Sequence, residues 1–183
     1  MNNEKNTVRI SKFMSLVLRH KPQTIGLTVD ENGWAATNDL IEKMNANGHY
    51  ITPDILNYVV ATNDKKRFSF NEDKSKIRAS QGHSINVDLA LKETDPPACL
   101  YHGTGEKYVE SILKTGLQKK TRQHVHLSQD TGTARTVGQR HGRPVIFTVA
   151  AEQMKGDGFT FYLSENHVWL TDFVPLKYLQ LIK

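Results

Sequence analysis

The 183-residue sequence contains one cysteine, Cys99, and this scarcity excludes several classes of protein. A single thiol allows no internal disulfide and no thiolate-rich zinc site. The sequence also lacks an apolar run of about 20 residues, the length that a membrane-spanning helix needs. Residues 1–5 do not begin a secretion signal. We therefore expect a cytoplasmic protein that does not enter a membrane.

Motifs that bind phosphates through glycine-rich loops are also missing. Neither the P-loop pattern nor the pattern G-x-G-x-x-G occurs, which excludes a Rossmann fold built on that fingerprint. His124 and His126 have the spacing of a zinc pair on one strand face, but no cysteine or close carboxylate completes a tetrahedral set. We therefore predict no metal site.

The sequence has the proportions of hydrophobic and charged residues that are typical of a folded protein, and it is moderately basic. Hydrophobic residues make up 38% and charged residues 23%, which favours a globular fold over disorder. The formal net charge of +5 suits an anionic partner but is too small to identify one. The length allows one ordinary domain or two small lobes.

A polar segment, residues 92–97, is the best candidate for a joint between two lobes. It ends in Pro96 and Pro97, which neither continue a helix nor fit a central strand. We therefore predict an N-terminal lobe over residues 1–92 and a C-terminal lobe over residues 98–183.

The N-terminal lobe is predicted to contain three helices. The first ends before Pro22 and has an apolar face formed by residues at helical spacing: Ile10, Phe13, Met14, Val17 and Leu18. The second is expected to begin near Thr37 and to end at Gly48. The third has a clear start, because Thr52 is a good N-cap and Pro53 fits the first helical turn.

A β-hairpin follows these helices, with strands at residues 67–70 and 76–78. Alternation places Arg67 on the strand face opposite Phe68 and Phe70, so aromatic side chains in the core would leave Arg67 facing outward. Three helices followed by a hairpin are typical of a winged-helix lobe.

The C-terminal lobe combines several strands with short helices, so the chain as a whole is predicted to have an α+β fold. Five segments have the pattern of strands: residues 99–101, 125–127, 144–149, 159–163 and 168–171. One helix should end at Gly116, and another should begin at Asp130, a good N-cap. The expected result is a mostly-β lobe with helices at its periphery.

Two clusters of arginine and histidine, one in each predicted lobe, are candidates for phosphate binding. Arg19 and His20 end the first helix, and Arg140 and His141 lie at a later helix end. Cations at a helix C-terminus also offset the helix dipole, so either cluster alone has a structural explanation. As a binding site, arginine offers a planar fork that fits phosphate, and histidine offers a titratable donor.

Two further segments are candidates for contacting a nucleotide. In His102-Gly103-Thr104 the glycine would let the backbone approach a ligand, while its neighbours offer hydrogen bonds to ribose hydroxyls or phosphates. Residues 77–84 place polar donors around Gly82, near the predicted joint, and clefts between lobes are favoured ligand sites.

Taken together, these motifs resemble those of the tRNA 2′-phosphotransferase (KptA-type) family over nearly the whole chain. The resemblance rests on short segments in a fixed order: residues 18–20, 33–34, 67–68, 77–84, 101–104, 126–128, 137–142 and 168–171. It implies an N-terminal winged-helix lobe that binds RNA and a C-terminal lobe with the ADP-ribosyltransferase fold that binds NAD⁺. The implied partners are a 2′-phosphorylated, tRNA-like RNA and NAD⁺, and we expect the enzyme to be a monomer.

The family's functional residues have counterparts in this sequence. The catalytic set falls on Arg19, His20, Arg67 and Arg140. The NAD⁺-binding set falls on His102, Gly103, Thr104 and Ser128. One position departs from the family, because His167 stands where a glycine is usual. A positive φ at that residue would cost about 1 kcal/mol.

The resemblance implies a reaction in two steps. The RNA 2′-phosphate displaces nicotinamide from NAD⁺, which gives an ADP-ribosylated RNA 2′-phosphate intermediate. The ribose 2″-hydroxyl then attacks the phosphorus, which releases 2′-hydroxyl RNA and ADP-ribose 1″,2″-cyclic phosphate. Because the first nucleophile is already an anion, we expect arginines that position it, and a catalytic glutamate is dispensable.

Two other functions remain open on the sequence alone. An ADP-ribosyltransferase acting on protein or nucleic acid would stop after the first transfer, and Glu165, in the turn before a predicted strand, could stand beside its acceptor. A winged-helix regulator that senses NAD⁺ would instead read duplex DNA with a recognition helix. The third predicted helix, residues 53–61, contains no arginine or lysine, which argues against that reading.

Overall fold

The computed structural model describes residues 2–182, with side chains from residue 6, so Met1 and Lys183 at the outer ends of the predicted lobes lie outside the described residues. The chain divides into two compact units, residues 1–90 and 91–183, here called unit 1 and unit 2. Helices and strands occur in both units, which confirms the α+β class. Among the described residues, no helix has the length and apolar character required to cross a membrane.

The described part of unit 1 contains three α-helices: α1 (Asn2–Arg19), α2 (Thr37–Ala46) and α3 (Pro53–Ala61). The predicted apolar face of α1 is buried at Ile10, Met14, Val17 and Leu18. The start of α3 is confirmed, since Thr52 Oγ1 accepts a hydrogen bond from Ile55 N at 3.2 Å. The end of α2 comes before the predicted Gly48, because the backbone leaves helical geometry at Asn47 (φ −103°, ψ 21°).

Three short strands form an antiparallel sheet in unit 1, in the order β1–β3–β2: β1 (Trp34–Ala36), β2 (Phe68–Phe70) and β3 (Lys76–Ala79). β2 and β3 confirm the predicted hairpin. Phe68 is buried and Phe70 packs against the same core, so the aromatic side chains point inward as the alternation predicts. The sequence pattern does not predict β1, because three residues carry little periodicity and the strand depends on its pairing with β3.

The described part of unit 2 combines short strands with three α-helices. The strands are β4 (Cys99–Gly105), β5 (Leu117–Gln118), β6 (Val125–Leu127), β7 (Pro144–Ala150), β8 (Tyr162–Leu163), β9 (Trp169–Thr171), β10 (Phe173–Val174) and β11 (Leu179–Ile182). The helices are α4 (Val109–Thr115), α5 (Thr131–Gly138) and α6 (Ala151–Gly156). The strands form small sheets with the orders β10–β5, β11–β7–β4 and β6–β9–β8. β7 is central in its sheet, as its apolar sequence predicts.

Strand lengths in unit 2 differ from the prediction in both directions. β4 continues past Tyr101 through the whole His102-Gly103-Thr104 motif. β8 covers only the end of the predicted strand 159–163, because Phe159 N donates to a carbonyl at the end of α6 instead of joining a sheet. β5 and β10 pair with each other over two residues each, too few to leave a pattern in the sequence.

The predicted connector, residues 92–97, is held by unit 2. Glu93 forms an isolated β-bridge with Tyr162, and its carboxylate pairs with Lys155. Thr94 N donates to the carbonyl oxygen of the residue before Tyr162, at 2.9 Å. The segment therefore has the irregular backbone that its prolines predict, and Glu93 and Thr94 bond it to the rest of unit 2.

Glycines let α5 pack directly on β4. A Cβ on Gly103 would lie 1.6 Å from the carbonyl oxygen of Ala134 in α5, and one on Gly105 would lie 2.4 Å from that of His141. A Cβ on Gly138 would lie 2.8 Å from a β4 carbonyl oxygen. These positions need glycine because backbone meets backbone there. α5 therefore covers one face of Gly103. On that face the glycine allows the helix to pack closely and does not admit a ligand, contrary to the expectation from the sequence.

Candidate functional site

The first cluster is assembled in unit 1, where the end of α1 meets the start of β2. Arg19, the last residue of α1, donates from Nη2 to the carbonyl oxygen of Arg67 at 3.3 Å. The same oxygen accepts a hydrogen bond from Ser80 N at 2.9 Å, just after β3. Two arginines that are 48 residues apart in the sequence are therefore in direct contact.

Asn63 holds the guanidinium group of Arg67. Its Oδ1 accepts hydrogen bonds from Arg67 N at 3.3 Å and from Arg67 Nη1 at 3.4 Å. Its Nδ2 donates to Ser11 Oγ in α1 at 3.0 Å. Arg67 is thus linked through a neutral amide to the helix that ends in Arg19, and this bond leaves the guanidinium charge intact.

His20 directly follows α1 and belongs to the same cluster. Its Nδ1 lies 2.9 Å from Ser84 Oγ. Ser84 N and Ile85 N both donate to the carbonyl oxygen of Arg19, at 2.9 and 3.3 Å, so this segment closes the end of α1. The structure therefore brings together the three predicted site residues that lie in unit 1.

His83 is buried beside this cluster, with 1% of its surface exposed. Burial, together with the nearby charges of Arg19, His20 and Arg78, lowers the pKa of His83 to about 4. The imidazole is therefore neutral at pH 7. Among the described residues, neither ring nitrogen of His83 has a hydrogen-bond partner. Gly33 leaves room for the ring, since a Cβ there would lie 3.5 Å from His83 Nε2.

Arg78 and Trp34 form a second feature of unit 1 that the sequence does not reveal. They are cross-strand partners on β3 and β1, and the Arg78 guanidinium lies 4.4 Å from the centroid of the Trp34 ring. Ser69 is the partner of Arg78 on β2, so the three residues form one row across the sheet. Sequence reasoning treats Arg78 only as part of residues 77–84, because the row exists only once β1 has formed.

The predicted nucleotide-binding residues lie on adjoining segments of unit 2. Tyr101 N donates to Ser128 O at 2.9 Å and Ser128 N donates to Tyr101 O at 2.7 Å, which joins β4 to the residue after β6. Alternation along β4 puts His102 and Thr104 on the strand face opposite Gly103, away from α5. Ser128 is the bridge partner of Tyr101, so its side chain lies on the other face of the strand from His102 and Thr104.

A backbone carbonyl fixes the tautomer of His102, because His102 Nδ1 donates to His126 O at 3.1 Å. Burial lowers the pKa of His102, while this hydrogen bond raises it and the charges of Arg122 and His141 lower it. The imidazole is therefore neutral at pH 7, with Nε2 as a hydrogen-bond acceptor. An acceptor of this kind suits a ribose hydroxyl group.

Arg122 is a candidate that sequence reasoning misses. Its Nη1 donates to His126 Nδ1 at 3.1 Å. Partial burial and the positive charge of Arg140 lower the pKa of Arg122, so the two guanidinium groups are near enough to interact. Arg140 is exposed in the short 3-10 helix Gln139–His141 that follows α5. Arg122 stands outside every motif of the sequence, and only the fold brings it into contact with His126.

His167 adopts the backbone conformation that the sequence marks as costly. Its φ is +58°, in the left-handed region, and its N donates to Ser164 O at 2.9 Å in the turn between β8 and β9. In this region a residue with a Cβ is less stable than glycine by about 1 kcal/mol or more, because its Cβ crowds the following carbonyl oxygen. His167 therefore has the left-handed backbone conformation whose cost the sequence analysis considers.

The predicted site residues fall into two groups. Unit 1 holds Arg19, His20 and Arg67 in one cluster. Unit 2 holds the others: Arg140, His102, Gly103, Thr104 and Ser128. Within the described part of the chain, no three histidine, cysteine or carboxylate side chains are grouped as metal ligands. The individual roles of these residues stay predictions.

A family model described as "RNA 2'-phosphotransferase, Tpt1 / KptA family" matches residues 5–173. Similar proteins named "Probable RNA 2'-phosphotransferase" occur in Flavobacterium johnsoniae (61% identical over 97% of this chain and 98% of the relative) and Fusobacterium nucleatum (56% identical, over 96% and 98%). A third, from Rhodopirellula baltica, is 53% identical over 98% of each chain.

These matches extend over almost the whole sequence and include both clusters described above, which identifies the chain as a transferase. It belongs to the RNA 2′-phosphotransferase, Tpt1 / KptA family.

Proposed function

We propose that this protein removes an internal 2′-phosphate from RNA by transferring it to NAD⁺, which is consumed as a co-substrate. The products are 2′-hydroxyl RNA, ADP-ribose 1″,2″-cyclic phosphate and nicotinamide. Family membership and the names of the relatives support the 2′-phosphate as the transferred group. The motif resemblance supports NAD⁺ as the acceptor and a tRNA-like RNA as the substrate.

The two units would divide this work between them. Three helices and an antiparallel sheet support a winged-helix, RNA-binding role for unit 1. Short strands that carry His102 and Thr104, with Ser128 bridged to the adjoining Tyr101, support an ADP-ribosyltransferase-like, NAD⁺-binding role for unit 2. The neutral His102 fits a cationic nicotinamide ring better than a charged imidazole would, because like charges repel.

The meeting of Arg19, His20 and Arg67 carries the proposal. Two guanidinium groups form forked, charge-assisted hydrogen bonds with a phosphate, and the imidazole adds a further donor. In the first step these groups hold the 2′-phosphate so that one of its oxygens attacks the anomeric carbon of the nicotinamide ribose. The carbon–nitrogen bond breaks, and nicotinamide leaves with the bonding pair. Since the phosphate is already an anion, positioning is the main requirement.

In the second step the ribose 2″-oxygen attacks the phosphorus, and the bond from phosphorus to the RNA 2′-oxygen breaks. The proton lost by the 2″-hydroxyl balances the proton gained by the RNA 2′-oxygen. We assign the donation of that proton, or of a hydrogen bond, to His20. We assign stabilisation of the charge that gathers on the phosphorus to Arg140, because fixed guanidinium groups act on charge that develops in the transition state.

The decisive experiment is incubation of the protein with NAD⁺ and an RNA that carries one internal 2′-phosphate, followed by mass analysis of all products. The expected result is 2′-hydroxyl RNA with equal amounts of nicotinamide and ADP-ribose 1″,2″-cyclic phosphate. The same RNA with a 2′-hydroxyl at that position serves as the control and should release no nicotinamide above background.

The same assay separates this function from its nearest alternative, an ADP-ribosyltransferase that stops after one transfer. A stable ADP-ribosyl adduct on the RNA, with nicotinamide but no cyclic phosphate, would favour the alternative. Release of inorganic phosphate without nicotinamide would show that NAD⁺ takes no part, and would overturn the proposed mechanism.

A further inference from the structure

The segment from Ser80 to Ser84 connects the two arginines of the unit 1 cluster. At one end, Ser80 N donates to the carbonyl oxygen of Arg67 at 2.9 Å, and Ser80 Oγ donates to the carbonyl oxygen of Lys66 at 2.9 Å. At the other end, Ser84 N donates to the carbonyl oxygen of Arg19 at 2.9 Å. Gly82, with φ +87°, lets the chain reverse between these two anchors.

One side chain of this segment, that of Ser84, contacts a residue of the proposed site. Ser84 Oγ lies 2.9 Å from Nδ1 of His20, while the backbone nitrogen of Ser84 is fixed on the residue before His20. Ser84 is exposed, so this contact lies where a ligand can approach it. Backbone and side chain of one residue therefore hold two neighbouring members of the proposed site.

We propose that Ser84 is a positioning residue that orients His20 toward the RNA 2′-phosphate. When His20 is neutral and the serine hydroxyl donates to Nδ1, the ring proton sits on Nε2. When His20 is charged, Nδ1 donates to the hydroxyl oxygen and Nε2 again carries a proton. Both states present Nε2–H as the donor, which is what a phosphate oxygen or a departing 2′-oxygen requires. The inference rests on the proposed function.

The contribution expected from Ser84 is that of a single hydrogen bond. A typical intramolecular hydrogen bond contributes about 1 kcal/mol, which corresponds to roughly a fivefold change in an equilibrium constant. Ser84→Ala removes only the hydroxyl, because the backbone donor to the Arg19 carbonyl remains. The end of α1 should therefore stay closed in this variant, and its folding should be close to that of the wild type.

The test measures binding of a short RNA with an internal 2′-phosphate, and of its 2′-hydroxyl counterpart, in the absence of NAD⁺. The dissociation constant of the 2′-hydroxyl RNA divided by that of the 2′-phosphorylated RNA reports recognition of the phosphate. This ratio can be measured without turnover. Ser84→Ala should lower this ratio about fivefold, and Ser84→Thr, which keeps the hydroxyl, should restore most of it. Ser75→Ala is the matched control, since it removes an exposed serine hydroxyl of unit 1 that bonds within its own turn, donating to Asp73 and accepting from Asn71 Nδ2.

A double-mutant cycle decides whether Ser84 acts through His20. In a His20→Ala background, Ser84→Ala should leave the ratio unchanged, because the partner of the hydroxyl is gone. With the native His20, Ser84→Ala should also lower kcat while leaving the KM for NAD⁺ unchanged, a split that general destabilisation would not produce.

The outcomes are distinguishable. A wild-type ratio in Ser84→Ala, or an equal loss in the presence and absence of the His20 side chain, would overturn the positioning role while leaving the proposed function in place. If the wild-type protein binds both RNAs equally, recognition of the 2′-phosphate fails, and the proposed function and this inference fail together.

Discussion

Unit 1 and unit 2 hold their histidines and arginines in different ways. In unit 1 the guanidinium of Arg19 bonds a backbone carbonyl, that of Arg67 bonds a neutral amide, and His20 bonds a hydroxyl. In unit 2 the imidazole of His102 is desolvated, bonds a backbone carbonyl and has a lowered pKa. The two arginine bonds of unit 1 leave the guanidinium charges in place, whereas the surroundings of His102 favour an uncharged imidazole.

The difference matches what each proposed ligand carries. A 2′-phosphate is a dianion that needs fixed cations, and neutral partners orient arginines without neutralising them. The reactive end of NAD⁺ is itself a cation, so a neutral imidazole can bond the adjoining ribose without repelling the ring. Burial of His102 thus favours the uncharged form that this proposed role requires.

The largest expected effect is on the reaction rates, and it should differ between the arginine variants of the two units. Arg67→Ala should slow the first step about 100- to 1000-fold, because the phosphate loses a positioning cation. Arg140→Ala should leave the first step nearly intact and slow the second, so that ADP-ribosylated RNA accumulates. Single-turnover assays with labelled RNA, in which substrate, intermediate and product are resolved, measure both rates.

The control for these variants is Arg9→Ala, which removes an exposed arginine of α1 that bonds Asn6. It should have wild-type rates. Prompt full turnover by Arg140→Ala would remove Arg140 from the mechanism, and an intermediate that accumulates equally in Arg67→Ala would contradict the division of labour between the two arginines.

The next effect concerns the stability of unit 2. Gly103→Ala places a Cβ within 1.6 Å of the Ala134 carbonyl oxygen, so α5 must shift from β4. We expect a loss of about 3 kcal/mol in the free energy of unfolding, the upper part of the range for overpacking. Gly156→Ala is the control, because a Cβ there meets nothing within 4 Å. Urea unfolding measures both, and equal stabilities would show that the packing at Gly103 is relaxed.

Burial of His83 predicts a pH dependence of stability that belongs to unit 1. The folded pKa is about 4, below the unfolded value near 6.5. Between these values the unfolded chain binds a proton that the folded chain does not, so the free energy of unfolding falls as pH falls from about 6.5 to 4. A shift of this size corresponds to roughly 3 kcal/mol. Above about pH 6.5 the contribution should be complete.

The variant His83→Leu isolates this contribution, since leucine keeps an apolar volume and has no proton to bind. At pH 7 its stability should equal or exceed that of the wild type, because both ring nitrogens of His83 lack partners among the described residues. The difference between the two proteins should grow in favour of the variant as pH falls through the window. Parallel stability curves from pH 7 to 4 would show that His83 is accessible to protons.

The smallest effect is expected in the turn between β8 and β9. His167→Gly should relieve the left-handed strain at φ +58° but should also raise the entropy of the unfolded chain. The net gain should be about 0.5 kcal/mol. Glu165→Gly in the same turn should lose about that amount, because there is no positive φ to relieve. A loss of stability in His167→Gly would mean that the imidazole makes a contact that outweighs the strain.

Elements with a strong local signal could be predicted from the sequence. The start of α3 follows from Thr52 and Pro53, and the end of α4 follows from Gly116, whose φ is +73°. β1 and β5 could not be predicted, because their two or three residues carry no strand pattern and each strand depends on a partner that is distant in sequence. The α+β class therefore followed from the longer elements.

The candidate site was predictable to a similar degree. Arg19, His20 and Arg67 follow from the family resemblance, and the fold brings them together. The link from Ser84 to His20 and the burial of His83 depend on the path of the chain after β3, which no local pattern encodes. Contacts that set charge and orientation are tertiary, so they escape a residue-by-residue reading.

The close backbone contacts of α5 have a mechanical consequence. β4, which carries His102 and Thr104, contacts the 3-10 helix of Arg140 at Gly105. The contact is with the carbonyl oxygen of His141, and no side chain of residue 105 lies between the two backbones. A displacement of β4 should therefore displace the 3-10 helix by a similar distance. The reach of the Arg140 side chain can change through its rotamers, whereas the position of its backbone is coupled to the strand that carries the predicted NAD⁺-binding residues.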